Sequence, residues 1–279
     1  MIENIGIIGG RGMMGQMFQP AWEELGCTIR VTGSKDHHLE KALVMESDLV
    51  IVSVPIDKTP EVIQRISPWL KPGQLLSDFA SVKNRVVPEL MKTQADVISV
   101  HPMFGRVTSL TGHKVIMLPQ RPGKWQHKYE RMFKQLGLET VTLQDWKQHD
   151  HMMSLIQGLT HFIHITFSQA LSKTGVDLDT LLSICSPVYE ANFAFACRIL
   201  QRDPSLYTHI LMDNQENQQV IRHFIDEAQH SLKLVEHGEE EKFIEQFEKT
   251  RDFLGESGKQ FAEESDYLIE KLKEYQARH

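Results

Sequence analysis

Cysteine is scarce: Cys27, Cys185 and Cys197 are the only three in 279 residues, and no two form a C-x-x-C pair. An odd, widely spaced set excludes a disulfide framework and argues against a zinc site, which fits a reducing, cytoplasmic setting. Basic blocks are missing too. With a net charge of −7, the chain is a poor match for a nucleic-acid backbone or an anionic membrane surface, so neither partner is expected. The N-terminus has no charged n-region leading into an apolar h-region, and no export signal is expected. One stretch, 151–172, holds no Asp, Glu, Lys or Arg over about the ~20 residues that a membrane span needs. It carries three histidines and two glutamines, and a helix buried in protein accounts for it better.

Proline stops at Pro204, and its distribution divides the chain. Up to about residue 145, short β-branched runs alternate with helical patterns. Strands are expected at Ile5–Ile8, Thr28–Val31, Asp48–Val54, Gln74–Phe79, Asp96–Val100, Lys114–Leu118 and Glu139–Leu143, the rhythm of an α/β, Rossmann-type doubly wound sheet. Beyond residue 145 only helical patterns appear, at 148–172, 177–184, 187–201, 217–237 and 240–276, the last with a break near Gly255 and Gly258. In 217–237, Val220, Phe224, Ala228, Leu232 and Val235 share one helical face. Two domains are therefore expected, 1–145 and 146–279, in line with about 150 residues per domain. The acidic excess is local: residues 226–279 hold 15 Asp and Glu against 8 Lys and Arg, and the remainder balances at 22 each.

Directly after the first strand stands Gly10-Arg11-Gly12-Met13-Met14-Gly15. A G-x-G-x-x-G that opens a helix permits a tight turn, lets backbone approach a pyrophosphate and offers a helix N-terminus to its charge. The whole turn, Gly10, Arg11, Gly12, Met13, Met14 and Gly15, is the expected cofactor cradle; the side chains of Met13 and Met14 are read as packing. An NAD site places a carboxylate about ~20 residues on, at the end of the second strand. Here Asp36 comes several residues late, and Ser34 with Lys35 would suit a 2′-phosphate, so NAD is expected with NADP as the alternative.

Two further strand ends carry chemistry. His101, in Ser99-Val100-His101-Pro102-Met103-Phe104-Gly105, sits at the carboxyl edge of its strand, where ligands of parallel sheets bind. A histidine there can take a hydroxyl proton as hydride leaves the same carbon, or simply cap the strand. Ser81, in Asp78-Phe79-Ala80-Ser81-Val82-Lys83, can orient a substrate or be an ordinary helix N-cap.

Taken in order, the glycine turn, Val52-Ser53-Val54-Pro55, Ala80-Ser81-Val82-Lys83 and His101-Pro102-Met103-Phe104-Gly105 resemble the prephenate dehydrogenase family. They are similar in particular to the dehydrogenase half of bifunctional chorismate mutase/prephenate dehydrogenases. The likeness continues through His149-Asp150, Gln157-Gly158-Leu159-Thr160-His161-Phe162 and Ser186-Pro187-Val188-Tyr189. The resemblance implies NAD-dependent oxidative decarboxylation of prephenate to 4-hydroxyphenylpyruvate, with His101 as the proton acceptor and Ser81 holding the same hydroxyl. It also implies Val54, Pro55, Ile56, Ser34 and Asp36 along the cofactor, tyrosine as feedback inhibitor, and a helical domain that closes the active site and forms a homodimer. No mutase helix precedes Met1, so either the natural protein is monofunctional or this chain is an excised half whose fused chorismate mutase domain lies outside it.

Arg198 lies among Phe195, Ala196, Cys197, Ile199 and Leu200. A guanidinium in so apolar a setting needs an anion, either a substrate carboxylate or an internal partner such as Glu190 or Asp203. The resemblance favours the substrate, as bidentate recognition suits arginine. His149, His151, His161 and His164 invite a metal reading but lack an acidic ligand at H-E-x-x-H spacing, so no metal is expected. For His149 and His161 the resemblance favours a substrate pocket, with a satisfied core histidine as the alternative. Two other functions fit parts of the pattern. A non-catalytic NAD-binding or tyrosine-sensing regulator would not need His101, Ser81 and Arg198 together. A β-hydroxy acid dehydrogenase would normally place a lysine on the first long helix of the second domain, and 151–172 has none.

Overall fold

In the computed structural model, which describes residues 2–278, strand and helix alternate from the start. The order is β1 (Asn4–Ile8), α1 (Met13–Glu24), β2 (Thr28–Thr32), α2 (Glu40–Met45), β3 (Leu49–Val52), α3 (Thr59–Ile66), β4 (Leu75–Asp78), α4 (Val87–Met91), β5 (Asp96–Pro102), β6 (Lys114–Arg121), α5 (Gln126–Gln135) and β7 (Glu139–Thr142). The seven strands form one sheet in the order β2-β1-β3-β4-β5-β6-β7. All neighbours are parallel except β5 and β6, which run antiparallel. The exception follows from connectivity: a parallel crossover returns through a helix, and 103–113 contains none.

Side chains alternate across the sheet. Ile5, Ile7, Leu49, Ile51 and Leu75 face Phe18 and Trp22, which stack at 4.9 Å. Ile8, Val50, Val52 and Leu76 face Leu43, Val62, Ile63 and Ile66. Burying each such side chain contributes about 1.5–3 kcal/mol relative to leaving it in water, which is why the run Leu49–Val52 is apolar without interruption. β1 lies between β2 and β3, so the winding reverses at its carboxyl end, the position where such sheets bind ligands.

The rest of the chain is helical. α6 (Trp146–Met153) passes into a π-helical stretch, Ser154–Leu159, and then come α7 (Thr160–Ser172), α8 (Leu178–Ile184), α9 (Pro187–Leu200), α10 (Pro204–Asp213), α11 (Asn217–His237) and α12 (Glu240–Gln276). The expected single helix over 148–172 is thus three consecutive segments. Gly158, in the widened stretch, approaches Asn217 so closely that a Cβ would overlap the amide. α10 is an element that the sequence patterns miss, although Asp203 caps it by accepting from Ser205 N at 3.0 Å ahead of Pro204. Inside α12, Gly255 leaves helical geometry (φ 54°, ψ −138°), which produces the expected break. Among the described residues no helix is long and apolar enough to cross a membrane.

The chain divides into two compact units: one runs to Ser154 and includes Thr208–Glu216, and the other comprises Leu155–Tyr207 and the chain from Asn217. The expected boundary at 145/146 falls at the N-cap of α6, where Asp145 accepts from Lys147 N at 2.9 Å. The first unit thus keeps α6.

Candidate active site

The glycine turn is shaped by close approach. A Cβ on Gly15, inside α1, would overlap the Gly10 carbonyl, and Gly9 just before the motif takes φ +80° against the Ser53 backbone. Gly12 is the extended N-cap of α1, and no side chain caps the helix. The first amides of α1 therefore have no side-chain cap, which leaves the helix N-terminus open to an anion such as a pyrophosphate. Met14 packs onto the core beneath, as expected for a packing side chain.

Asp36 does not stand apart from this turn. Its Oδ2 accepts from Gly33 N at 2.9 Å and meets Arg11 Nη2 at 2.7 Å. The loop after β2 folds back, so a carboxylate that is late in sequence ends beside the motif in space. Ser34 and Lys35 are exposed in the same loop. After β3, Val54 packs on the core, Pro55 is exposed and Ile56 is buried with Val82 and Ile210. Thr59 donates to the Pro55 carbonyl at 3.1 Å, which holds this turn.

At the ends of β4 and β5 the first unit carries a buried polar network. His101 is 2% exposed and His149, on α6, is fully buried. His101 Nδ1 and His149 Nε2 are 2.9 Å apart, and His149 Nδ1 lies 2.8 Å from Asp150 Oδ1. Both nitrogens of His149 are thus engaged by protein groups. Asp150 also accepts from Lys83 N at 3.0 Å and Asn84 N at 2.8 Å, the amides two and three residues beyond Ser81. Lys83 itself turns inward: its Nζ donates to Asp78 Oδ1 at 2.7 Å and to the Val100 carbonyl at 2.9 Å. Asp78 Oδ2 accepts from Ser99 Oγ, and Asp78 Oδ1 from Ala80 N.

These surroundings set the charges. Burial, then the neighbouring His149 and Lys83, holds the His101 imidazole well below its usual range. Burial also lowers His149, against the pull of Asp150. Burial lowers Lys83 while Asp78 opposes it. The outcome is a neutral imidazole at the sheet's carboxyl edge, able to accept a proton, with a half-buried serine in the adjoining loop. Asp78, Lys83 and Asp150 stood in the sequence only as members of motifs with no role of their own, and Asn84 not at all. A signal existed for Asp150, the last charged residue before the uncharged run 151–172.

The second unit holds the other expected residues. His161 packs edge-on against Tyr207 with ring centroids 5.0 Å apart, and burial lowers its imidazole to about 4. Its Nδ1 is buried without a hydrogen-bond partner among the described residues. Arg198 and Arg202 lie close enough to Tyr207 to act on its hydroxyl, although burial dominates and raises it. Arg198 is exposed, which corrects the expectation of an apolar enclosure. The flanking Phe195 and Leu200 are themselves 54% and 49% exposed, so this side of α9 is uncovered in the single chain. The internal partners considered for it are committed elsewhere: Glu190 meets Lys273 Nζ at 2.6 Å, and Asp203 caps α10. Among the described residues no carboxylate pairs with Arg198.

Comparison with known proteins matches two stretches of the chain. Residues 21–141 match the family model of the prephenate dehydrogenase nucleotide-binding domain, and 145–249 that of the prephenate dehydrogenase dimerization domain. The T-protein of Haemophilus influenzae is 31% identical over 276 residues, which is 98% of this chain and 73% of that protein. A probable arogenate/prephenate dehydrogenase of Methanocaldococcus jannaschii is 31% identical over 286 residues, 95% of this chain and 64% of that protein. Among solved structures, prephenate dehydrogenase from A. aeolicus in complex with hydroxyphenyl propionate and NAD+ has the same fold. Its TM-score is 0.70 at 21% identity, covering 90% of this chain and 96% of that one. With both domain models matched in order, the chain belongs to the prephenate dehydrogenase family.

Proposed function

We propose that this chain is an NAD-dependent prephenate dehydrogenase that converts prephenate to 4-hydroxyphenylpyruvate and carbon dioxide. The observation that carries the reading is His101, buried and held neutral at the carboxyl end of β5 within one hydrogen bond of His149. When bound, NAD+ supplies the hydride acceptor. The turn from Gly10 to Gly15 would cradle its pyrophosphate, with Val54, Pro55, Ile56 and Ser34 lining the cofactor and Asp36 at the ribose. A carboxylate there favours a free 2′-hydroxyl over a 2′-phosphate.

His101 accepts the proton of the ring C4 hydroxyl, and Ser81 holds that hydroxyl in line. Loss of the ring carboxylate as carbon dioxide aromatises the product, so the step runs one way. Arg198 and His161 bind the substrate, the guanidinium taking a carboxylate. His149 supports His101 instead of meeting the substrate, because both its nitrogens are engaged. Tyrosine, which shares the product's hydroxyphenyl group, acts as feedback inhibitor. The helical unit pairs with a second copy of the chain, consistent with uncovered apolar side chains such as Phe247 and Phe253, 64% and 87% exposed. Three free cysteines fit a cytoplasmic enzyme.

The test mixes purified protein with NAD+ and prephenate, or arogenate in its place, and follows NADH absorbance. Turnover of prephenate that collapses in folded His101→Asn is the expected result. Preference for arogenate would overturn the substrate assignment, and an active His101→Asn the base.

A further inference from the structure

Asp150 joins two parts of the site that chemistry must keep in step. Through its carboxylate it meets His149, and through His149 it reaches His101; with the same two oxygens it accepts the amides of Lys83 and Asn84, which follow Ser81. We infer that Asp150 is a positioning residue that fixes the tautomer of His101 through His149 and anchors the Ser81 loop in the same contact. The inference rests on the reading of His101 as proton acceptor and adds the group that keeps it one.

Proton counting leads there. Both Asp150 oxygens accept backbone N–H bonds, so the carboxylate is the acceptor toward His149, whose Nδ1 therefore carries hydrogen. A neutral His149 then presents a lone pair at Nε2, 2.9 Å from His101 Nδ1. His101 must donate there, which places its own lone pair on Nε2. The line from carboxylate to base works in one direction only. The anchor is itself held, since Asn214 Nδ2 donates to the Asp150 carbonyl at 2.7 Å and Asn84 Nδ2 to the Asp213 carbonyl at 2.7 Å. Asp150 is 3% exposed, so water does not compete for its contacts.

Asp150→Asn reverses the line without changing its shape. The Asn84 amide, the shortest of the backbone contacts to Asp150, keeps the oxygen of the new side chain, and the NH2 turns toward His149 Nδ1. His149 then carries hydrogen on Nε2 and donates to His101, whose Nε2 becomes protonated and useless as a base. The loss expected is about 10⁴-fold in kcat, the scale of such a reversal where a carboxylate orients a histidine, with KM for NAD+ and prephenate changed less than about threefold.

The experiment uses the full chain labelled with 15N at histidine, and reads tautomers from two-bond 15N–1H correlations at pH 8, with His101 assigned by its loss in His101→Asn. Expected are hydrogen on Nδ1 of His101 in the native chain, a switch to Nε2 in Asp150→Asn, and the matching loss of kcat. Hydrogen on Nε2 of native His101 overturns the inference, as does Asp150→Asn with the switched tautomer and kcat within about twofold of native. If Asp150→Asn fails to fold, the native spectrum alone decides. Failure of the native chain to oxidise prephenate would instead remove the proposed function and leave the tautomer result standing.

Discussion

Lys83 Nζ lies 2.7 Å from Asp78 Oδ1, and neither side chain is reached by solvent. Beside this pair are the Val100 carbonyl, the Ser99 hydroxyl and the Ala80 amide, so Lys83 Nζ donates to two acceptors and both Asp78 oxygens accept. Desolvating two ions is costly and the pair itself stabilises little, but removing one partner strands the other. Lys83→Met is expected to lower stability by about 3–5 kcal/mol, read from the urea midpoint. Lys83→Met with Asp78→Asn should recover most of that loss. A single variant as stable as the native chain would show that Asp78 is not stranded.

The two buried histidines give the chain an acid side. Burial lowers both His101 and His149 in the folded state, whereas in the unfolded chain they titrate near ~6.5. Above that pH both states hold neutral imidazoles and nothing is gained. Below it the unfolded chain takes up protons that the folded chain does not, so stability falls as pH drops through about 6.5. The midpoint of thermal unfolding should decline from pH 7 to pH 5, and the decline should be shallower in His149→Gln. Activity follows the same group: kcat/KM should stay level from pH 8 to about 6.5, because a base held below its usual range is already neutral there. An acid limb centred at or above 6.5 would contradict the burial of His101.

Strand periodicity made the sheet legible, since Leu49–Val52 and its neighbours are apolar for the plain reason that both faces are covered. The positions of His101 at the end of β5 and of Ser81 just after β4 were legible from the strand pattern. Lys83 and Asp78 were not, because sequence reports charges as solvated until a fold brings them together across a turn. The surroundings of Asp36 were hidden in the same way: counted along the chain it is late, yet the loop after β2 folds it back onto Gly33 and Arg11. Arg198 shows the opposite error. Apolar neighbours in sequence imply burial only if something covers the helix face, and among the described residues Phe195 and Leu200 stay about half exposed.

Asp36 should decide between the two cofactors. Its carboxylate holds Arg11, whose side chain is 64% exposed, and would repel a 2′-phosphate placed at the end of β2. Asp36→Ser removes that repulsion and releases Arg11 beside Lys35, two cations suited to a phosphate. The ratio of kcat/KM for NADP+ to that for NAD+ is expected to rise at least about tenfold, or about 1.4 kcal/mol. Initial rates with each cofactor at saturating prephenate check it. An unchanged ratio would place the ribose elsewhere.

Arg198 carries the sharpest separation of binding from chemistry. Its candidate internal partners are taken, Glu190 by Lys273 and Asp203 by the cap of α10, and its guanidinium stays exposed. An arginine with no carboxylate partner among the described residues, near Tyr207, whose ring packs on the half-buried His161, is placed to take an anion. A carboxylate contact is made alike in the bound substrate and in the transition state, so its loss weakens binding more than it slows the reaction. Arg198→Gln should therefore raise KM for prephenate about 10- to 100-fold, about 1.4–2.7 kcal/mol, and change kcat less than about threefold. Arg198→Lys should fall between, keeping the charge and losing the fork. Because an exposed side chain with no ion pair contributes little to folding, the thermal midpoint of both variants should stay within a degree or two of native. A fall in stability with an unchanged KM would instead make Arg198 a structural residue of α9.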